Sequence, residues 1–186
     1  TRRVARLRRV AEFSGDYVFA KHCQLQNQPC FASSAFLSDS PYKDRLGDWR
    51  LGAGLYRLRV SPEGEVTVQP LLERPKGIIR DPDISFDGRT LAFSMREGEA
   101  DDYHLYTMEL ATGNVRQITF GAGTADTEPC WLPGGDLLFT SSRCDICVPC
   151  WSSDVMNIYR CRADGKVLRR LTFDHAPDGR FRVQLV

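Results

Sequence analysis

Asp81-Pro82-Asp83-Ile84-Ser85-Phe86-Asp87-Gly88-Arg89-Thr90-Leu91-Ala92-Phe93-Ser94 is the stretch whose reading decides the fold. A proline-containing entry leads to an Asp-Gly turn pair, and the turn leads to a short aliphatic and aromatic run. That is the order expected of strand, tight turn and strand. A second copy runs from Glu128-Pro129-Cys130-Trp131-Leu132-Pro133-Gly134-Gly135 into Asp136-Leu137-Leu138-Phe139-Thr140. Its Asp136 follows the glycines, so its turn is expected to be built differently.

Outward from these units the repetition continues. Leu105-Tyr106-Thr107-Met108-Glu109 returns as Ile158-Tyr159-Arg160-Cys161-Arg162, and Val115 to Phe120 returns as Leu168 to Phe173. The offset is 46 for the Thr90 to Ser94 segment and 53 for the later two, so the second copy carries seven extra residues between its second and third strands. A weaker first copy shows in Tyr17 to Lys21 and in Leu55 to Val60, with an insertion holding Cys23 and Cys30 between them. Thr112-Gly113 and Asp164-Gly165 mark further turns, and Asp87, Asp164 and Asp178, each before a glycine, read as turn formers. Repeats of four short antiparallel strands at this period predict an all-β fold, a β-propeller with about three blades present and so incomplete. The expected division is a basic leader or linker at 1–14 and a first blade at 15–76 that contains the cysteine insertion. A second blade follows at 77–121, a third with a cysteine-rich hairpin at 122–174, and the start of another at 175–186. Propellers close with about four to eight blades, so either a longer polypeptide or association of several copies is expected to complete the ring.

The Asp81 to Ser94 segment, Glu128 to Gly135, and the blade-ending Arg116-Gln117-Ile118-Thr119 and Arg169-Arg170-Leu171-Thr172 resemble the WD40-like repeat of TolB-type propellers. Arg80 to Ser85, His104-Leu105-Tyr106, Glu128 to Trp131, and Ser141-Ser142-Arg143 running to Val148-Pro149-Cys150-Trp151 together resemble the propeller region of proteins related to the hydrazine synthase alpha subunit. The second resemblance implies a propeller joined to domains that carry covalently bound haem. Cys144-x-x-Cys147 is followed by Val148 and Cys147-x-x-Cys150 by Trp151, so no c-type haem attachment motif is present in the chain. Both resemblances imply an extracytoplasmic, periplasmic home. No signal peptide opens the sequence, which begins at Thr1, and a missing N-terminus is expected.

Composition sets the outer bounds. Forty-two per cent hydrophobic and 26% charged residues suit a folded domain and not a disordered chain. A net charge of +1 gives no global field for nucleic acid or anionic lipid, and no apolar run approaches a membrane span. Seven cysteines is a high count, which fits an oxidising compartment or a metal–thiolate site.

Candidate sites follow from residue chemistry. Cys144, Cys147 and Cys150 stand at a spacing that lets sulfurs turn round one zinc or other metal, with Cys130 or Cys161 as a fourth ligand. Disulfides or free thiols are the competing reading, as a loop-closing disulfide is for Cys23 and Cys30. His22 beside Cys23 is a further ligand candidate. Asp81, Asp83, Asp126 and Glu128 gather where inner strands begin, so they would ring a channel mouth for a cation or basic peptide. Alternatively they accept backbone hydrogen bonds or pair with Arg80 and Arg143. His104 lacks a nucleophile motif near it and reads as a structural histidine. Trp131, Trp151, Phe93, Phe139 and Tyr106 read as core. No catalytic residue is assigned. The chain is expected to be a binding or scaffold module that meets a protein partner or an adjoining domain. The alternative is the propeller part of a hydrazine synthase-related oxidoreductase, contributing cysteine ligands to a haem or metal centre.

Overall fold

A computed structural model describes residues 10–22, 52–98, 101–146 and 154–173. Eleven strands are present among them: β1 (Gly15–His22), β2 (Ala53–Val60), β3 (Val66–Arg74), β4 (Ile78–Ile84), β5 (Thr90–Arg96), β6 (His104–Glu109), β7 (Val115–Gln117), β8 (Asp126–Trp131), β9 (Asp136–Ser141), β10 (Asn157–Arg162) and β11 (Arg169–Arg170). They form three antiparallel sheets in the orders β1-β2-β3, β4-β5-β6-β7 and β8-β9-β10-β11. Each sheet is a meander of sequence neighbours, which is how a propeller blade is wound. Blades 2 and 3 have the four strands expected. Blade 1 has three among the described residues, and its β1 is the counterpart of β5 and β9, not of an innermost strand. The proposed leader and the proposed start of a further blade lie largely or wholly outside the described residues.

The Pro-containing entry explains itself in the backbone. Asp81 and Glu128 hold φ values of 53° and 56°, in the left-handed region that non-glycine residues seldom adopt. Each precedes a proline, which favours extended backbone in the residue before it, so the left-handed conformation is held against that preference. At the same two places the ladder register breaks, between Arg80 and Asp83 and between Thr127 and Cys130. The inner strand of both blades therefore bulges at one position, a repeated feature of the design. The expectation of a different turn after the second copy is met only in length. Gly135 takes φ 84° where Gly88 takes 72°, and each donates to the carbonyl three residues earlier. The second turn has one residue fewer.

The repeat is clearest in an aromatic pair directly opposed across the second and third strands of every blade. Phe19 stacks on Tyr56 at 5.6 Å, Phe93 on Tyr106 at 6.0 Å and Phe139 on Tyr159 at 5.9 Å. Strand alternation sends these rings to the face that meets the preceding blade. Ile79, Leu91, Phe93, Met95, Tyr106 and Met108 of blade 2 thus pack with Leu55 of blade 1 in one core. Leu137, Phe139, Tyr159 and Cys161 of blade 3 pack with Ala92, Leu105 and Ile118 of blade 2 in another. Both cores lie between blades, so neither blade is stable by its own hydrophobic face alone. Phe93, Phe139, Tyr106 and Trp131 sit in these cores; Trp151 lies outside the described residues.

Candidate functional site at the long-loop end of the propeller

Antiparallel winding sends alternate connections to opposite ends of the blades. At one end are residues 61–65, 85–89, 110–114, 132–135 and 163–168, all of four to six residues. At the other end the connections between the second and third strands are 23–52, 97–103 and 142–156. Cys23, Cys30, Cys144, Cys147 and Cys150 all belong to this longer set. The starts of β4 and β8 lie there too.

Asp126 opens β8 at this end and is wholly buried. Its Oδ1 accepts from Ser141 Oγ at 2.6 Å and from Arg143 Nε at 3.2 Å, and its Oδ2 accepts from Arg143 Nη2 at 2.6 Å. His104 Nδ1 lies 3.4 Å from the same Oδ2. Burial pushes the Asp126 carboxyl up, but bonds from His104 and Arg143, the Arg143 charge and the Ser141 hydroxyl outweigh it and hold the group below its ordinary value. Arg143 also donates to the Phe120 carbonyl at 2.7 Å. Asp126 therefore ties β8, β9, the start of β6 and the turn after Phe120 into one hub spanning blades 2 and 3.

The other three carboxylates have different places. Asp81 and Glu128 occupy the equivalent bulge positions, and Arg80, itself 7% exposed, pairs with both. Asp83 accepts the Trp131 backbone N–H at 2.7 Å, a bond that crosses from blade 2 to blade 3. Asp126 is not the counterpart of any of them: one bulge-to-bulge step back along the inner strand it matches Ile79. The guanidinium groups of Arg80 and Arg96 also flank the ring of the buried Tyr103, at 5.8 and 5.5 Å. The cross-blade bond of Asp83 has no signature in the sequence, because it joins residues that only the blade packing brings together, whereas the Arg80 and Arg96 contacts with Tyr103 are made within blade 2.

Beside the hub lies an open recess of about 430 Å³ lined by Glu97, Asp101, Asp102, His104, Tyr106 and Gln117. Asp102 accepts the Gly123 N–H at 2.7 Å and so fixes one wall. The recess was not signalled by any motif; it follows from two connections meeting at the same end.

Cys144 is half-buried, and its Sγ donates to the Val155 carbonyl at 3.0 Å. Cys147 and Cys150 lie outside the described residues, as do Cys23 and Cys30. Cys161 is opposite Leu137, and Cys130 opposite Leu138. Cys161 thus stands four residues along β10 from the Asn157 end where the hairpin attaches, roughly 13 Å at about 3.3 Å per residue. Cys130 and Cys161 therefore stand toward the other end of their strands from Cys144. Burial first, and the Asp126 and Asp136 charges next, push the Cys161 thiol up to about 12, so it stays protonated in its core. Among the described residues no group of three or more His, Cys, Asp or Glu is placed to hold a metal. No helix among them is long and apolar enough to cross a membrane.

No family model matches the chain. It is 33% identical over 172 residues to the Tol-Pal system protein TolB of Francisella tularensis subsp. mediasiatica, a match that covers 92% of this chain and 36% of that protein. The chain spans about a third of the length of the curated relatives it matches. Among solved structures it superposes on TolB from Acinetobacter baumannii with a TM-score of 0.51, at 22% identity over 70% of this chain and 29% of that one. It superposes on Kuenenia stuttgartiensis hydrazine synthase with a TM-score of 0.51, at 13% identity over 83% of this chain and 22% of that one. With the repeated bulge, the repeated aromatic pair and the blade topology, these likenesses make the chain a set of TolB-type β-propeller repeats.

Proposed function

We propose that the chain is a protein-binding propeller module that works within a larger extracytoplasmic protein or assembly and meets its partner through the long-loop end. The asymmetry of the connections carries this reading. Hairpins of four to six residues at one end are what blade closure needs, whereas 97–103, 142–156 and 23–52 at the other exceed it. Extra chain on a rigid scaffold is where binding surfaces are built. The likeness to TolB, by name a protein of the Tol-Pal system, supports a protein partner. The cysteine content agrees with an oxidising compartment.

Binding to immobilised components of the Francisella tularensis Tol-Pal system tests it. Asp101→Lys at the long-loop end is expected to weaken binding about tenfold or more, and Asn114→Lys at the short-loop end to leave it unchanged. Equal loss from both, or loss only from Asn114→Lys, contradicts the assignment.

A second reading keeps Cys144, Cys147 and Cys150 as ligands of zinc or another metal beside a redox domain, as the likeness to hydrazine synthase would have it. The position of Cys144 at the root of the long connection favours it. Against it, the Cys144 thiol spends its proton on Val155, and a metal would have to displace that proton. Elemental analysis of chelator-free protein separates the two. A stoichiometric metal lost in the Cys144→Ser/Cys147→Ser/Cys150→Ser variant would establish the second reading; none is expected.

A further inference from the structure

The tyrosine of the repeated aromatic pair has a different electrostatic setting in each blade. Tyr56, Tyr106 and Tyr159 stand directly opposite Phe19, Phe93 and Phe139. In blade 1 the Lys21 ammonium lies 5.8 Å over the Tyr56 ring, and the Tyr56 hydroxyl donates to Glu73 at 2.7 Å. In blade 3 Arg170 is directly opposite Tyr159. Burial pushes the Tyr159 hydroxyl up, and the Arg170 charge opposes it. A cation of the chain thus attends the tyrosine in both outer blades.

Blade 2 supplies none at either place. Met95 stands where blade 1 has Lys21, two residues beyond the phenylalanine, and Gln117 stands opposite Tyr106 where blade 3 has Arg170. Matching bonds fix the second equivalence. Gln117 Nε2 donates to the Thr119 carbonyl at 2.8 Å, as Arg170 Nε donates to the Thr172 carbonyl at 2.7 Å.

Acid takes the place of the missing cation. Glu97, Asp101 and Asp102 share the recess of about 430 Å³ with Tyr106 and Gln117, and no lysine or arginine is among its lining residues. Arg74 pairs with Glu97 at 3.1 Å, and Asp102 accepts only a backbone N–H. Asp101 and Asp102 have no ion-pair partner among the described residues. His104, also in the wall, turns Nδ1 to Asp126. Tyr106 is 9% exposed, and its hydroxyl makes no hydrogen bond among the described residues. A phenol so nearly buried ordinarily has a partner. Burial, and after it the Glu97 and Asp101 charges, push this hydroxyl up, with Arg74 opposing them. Both carboxylates therefore bear on the same point in the recess.

We propose that the recess takes an arginine or lysine side chain of the protein partner, whose charge fills in blade 2 the place that Lys21 and Arg170 fill in blades 1 and 3. The source of that side chain rests on the protein-binding reading above; the chemistry rests on the recess. Carboxylate oxygens of Asp101 and Asp102, the Tyr106 oxygen and Gln117 Oε1 are all acceptors, which suits a group that only donates.

Nuclear magnetic resonance of the full 186-residue chain tests this, with Nα-acetyl-arginine amide and Nα-acetyl-lysine amide as probes. Nα-acetyl-citrulline amide is the uncharged match of the first. Saturable shifts of the Asp101, Asp102 and Gln117 amides are expected with a cationic probe, and none with citrulline. Asp101→Asn, at an exposed position, should weaken binding roughly fivefold. Gln117→Arg brings blade 3's cation into blade 2 and should abolish binding, whereas Gln117→Met should retain it. No saturable shift with either cation, equal shifts with citrulline, unaltered binding in Gln117→Arg or equal loss in Gln117→Met would each overturn the proposal. A chain that binds Tol-Pal components but neither cationic probe overturns this inference alone. One that binds the probes but no such component upholds the recess chemistry and removes the Tol-Pal partner.

Discussion

Ile79 and Asp126 occupy the same place in successive blades, two residues before a left-handed bulge residue and opposite Met95 and Ser141 respectively. Both are wholly buried. Ile79 sits among Leu91, Phe93 and Met95; Asp126 sits among Arg143, His104 and Ser141. One backbone position therefore serves an apolar core in one blade and a buried ionic hub in the next. The bulge recurs before Pro82 and before Pro129 whatever residue stands two places ahead of it. What fills the position decides whether the joint tolerates substitution, since a buried charge is stable only while its partners remain.

The largest effect should come from breaking that hub. Asp126→Ala is expected to lower stability by about 3–5 kcal/mol, because Arg143 and His104 lose their carboxylate inside the protein. Chemical denaturation reads it. Asp126→Ile with Arg143→Met should recover part of the loss by converting the joint to the Ile79 type, and no recovery would show that the two positions are not interchangeable.

The aromatic pairs sharpen the comparison along the array. Phe139→Ala and Phe93→Ala should each cost about 3–5 kcal/mol as buried rings are removed. Phe19→Ala should cost under about 1 kcal/mol, as is usual for exposed positions. Equal costs at all three would mean that Phe19 is covered as the other two rings are. The change at Asp83 falls between those of the buried and the exposed rings. Asp83→Ala leaves the Trp131 N–H without its acceptor and should cost about 1–2 kcal/mol.

Much of the fold was legible because strand-turn chemistry is local. Asp-Gly turns, the Pro entry and the Phe and Tyr of each hairpin lie within a few residues of one another, and their recurrence gave the blades. Arg80 and Arg143 were visible as candidate partners for the acidic residues from their charge alone. The depth of Asp126 was not, since it depends on a packing contact between blades. Aligning the repeats on the bulge, which puts an aspartate over Ile79, is the one signal that would have exposed it. The separation of Cys130 and Cys161 from Cys144 was equally hidden, because sequence spacing does not say which end of a strand a residue occupies. The single chain also gave no sign that all the longer second-to-third-strand connections share an end until the strand order was in place.

Asp126 is held below its unfolded value of 3.8, so its contribution is fully present above that value and lost as pH falls through the lower folded one. The central claim is that this carboxylate holds blades together. Comparing urea unfolding of the wild type and Asp126→Asn from about pH 5 down to pH 2 tests it most directly. The account predicts a wild-type stability advantage at pH 5 that shrinks steadily as the solution is acidified. Parallel pH profiles, with the gap constant or absent throughout, would contradict it.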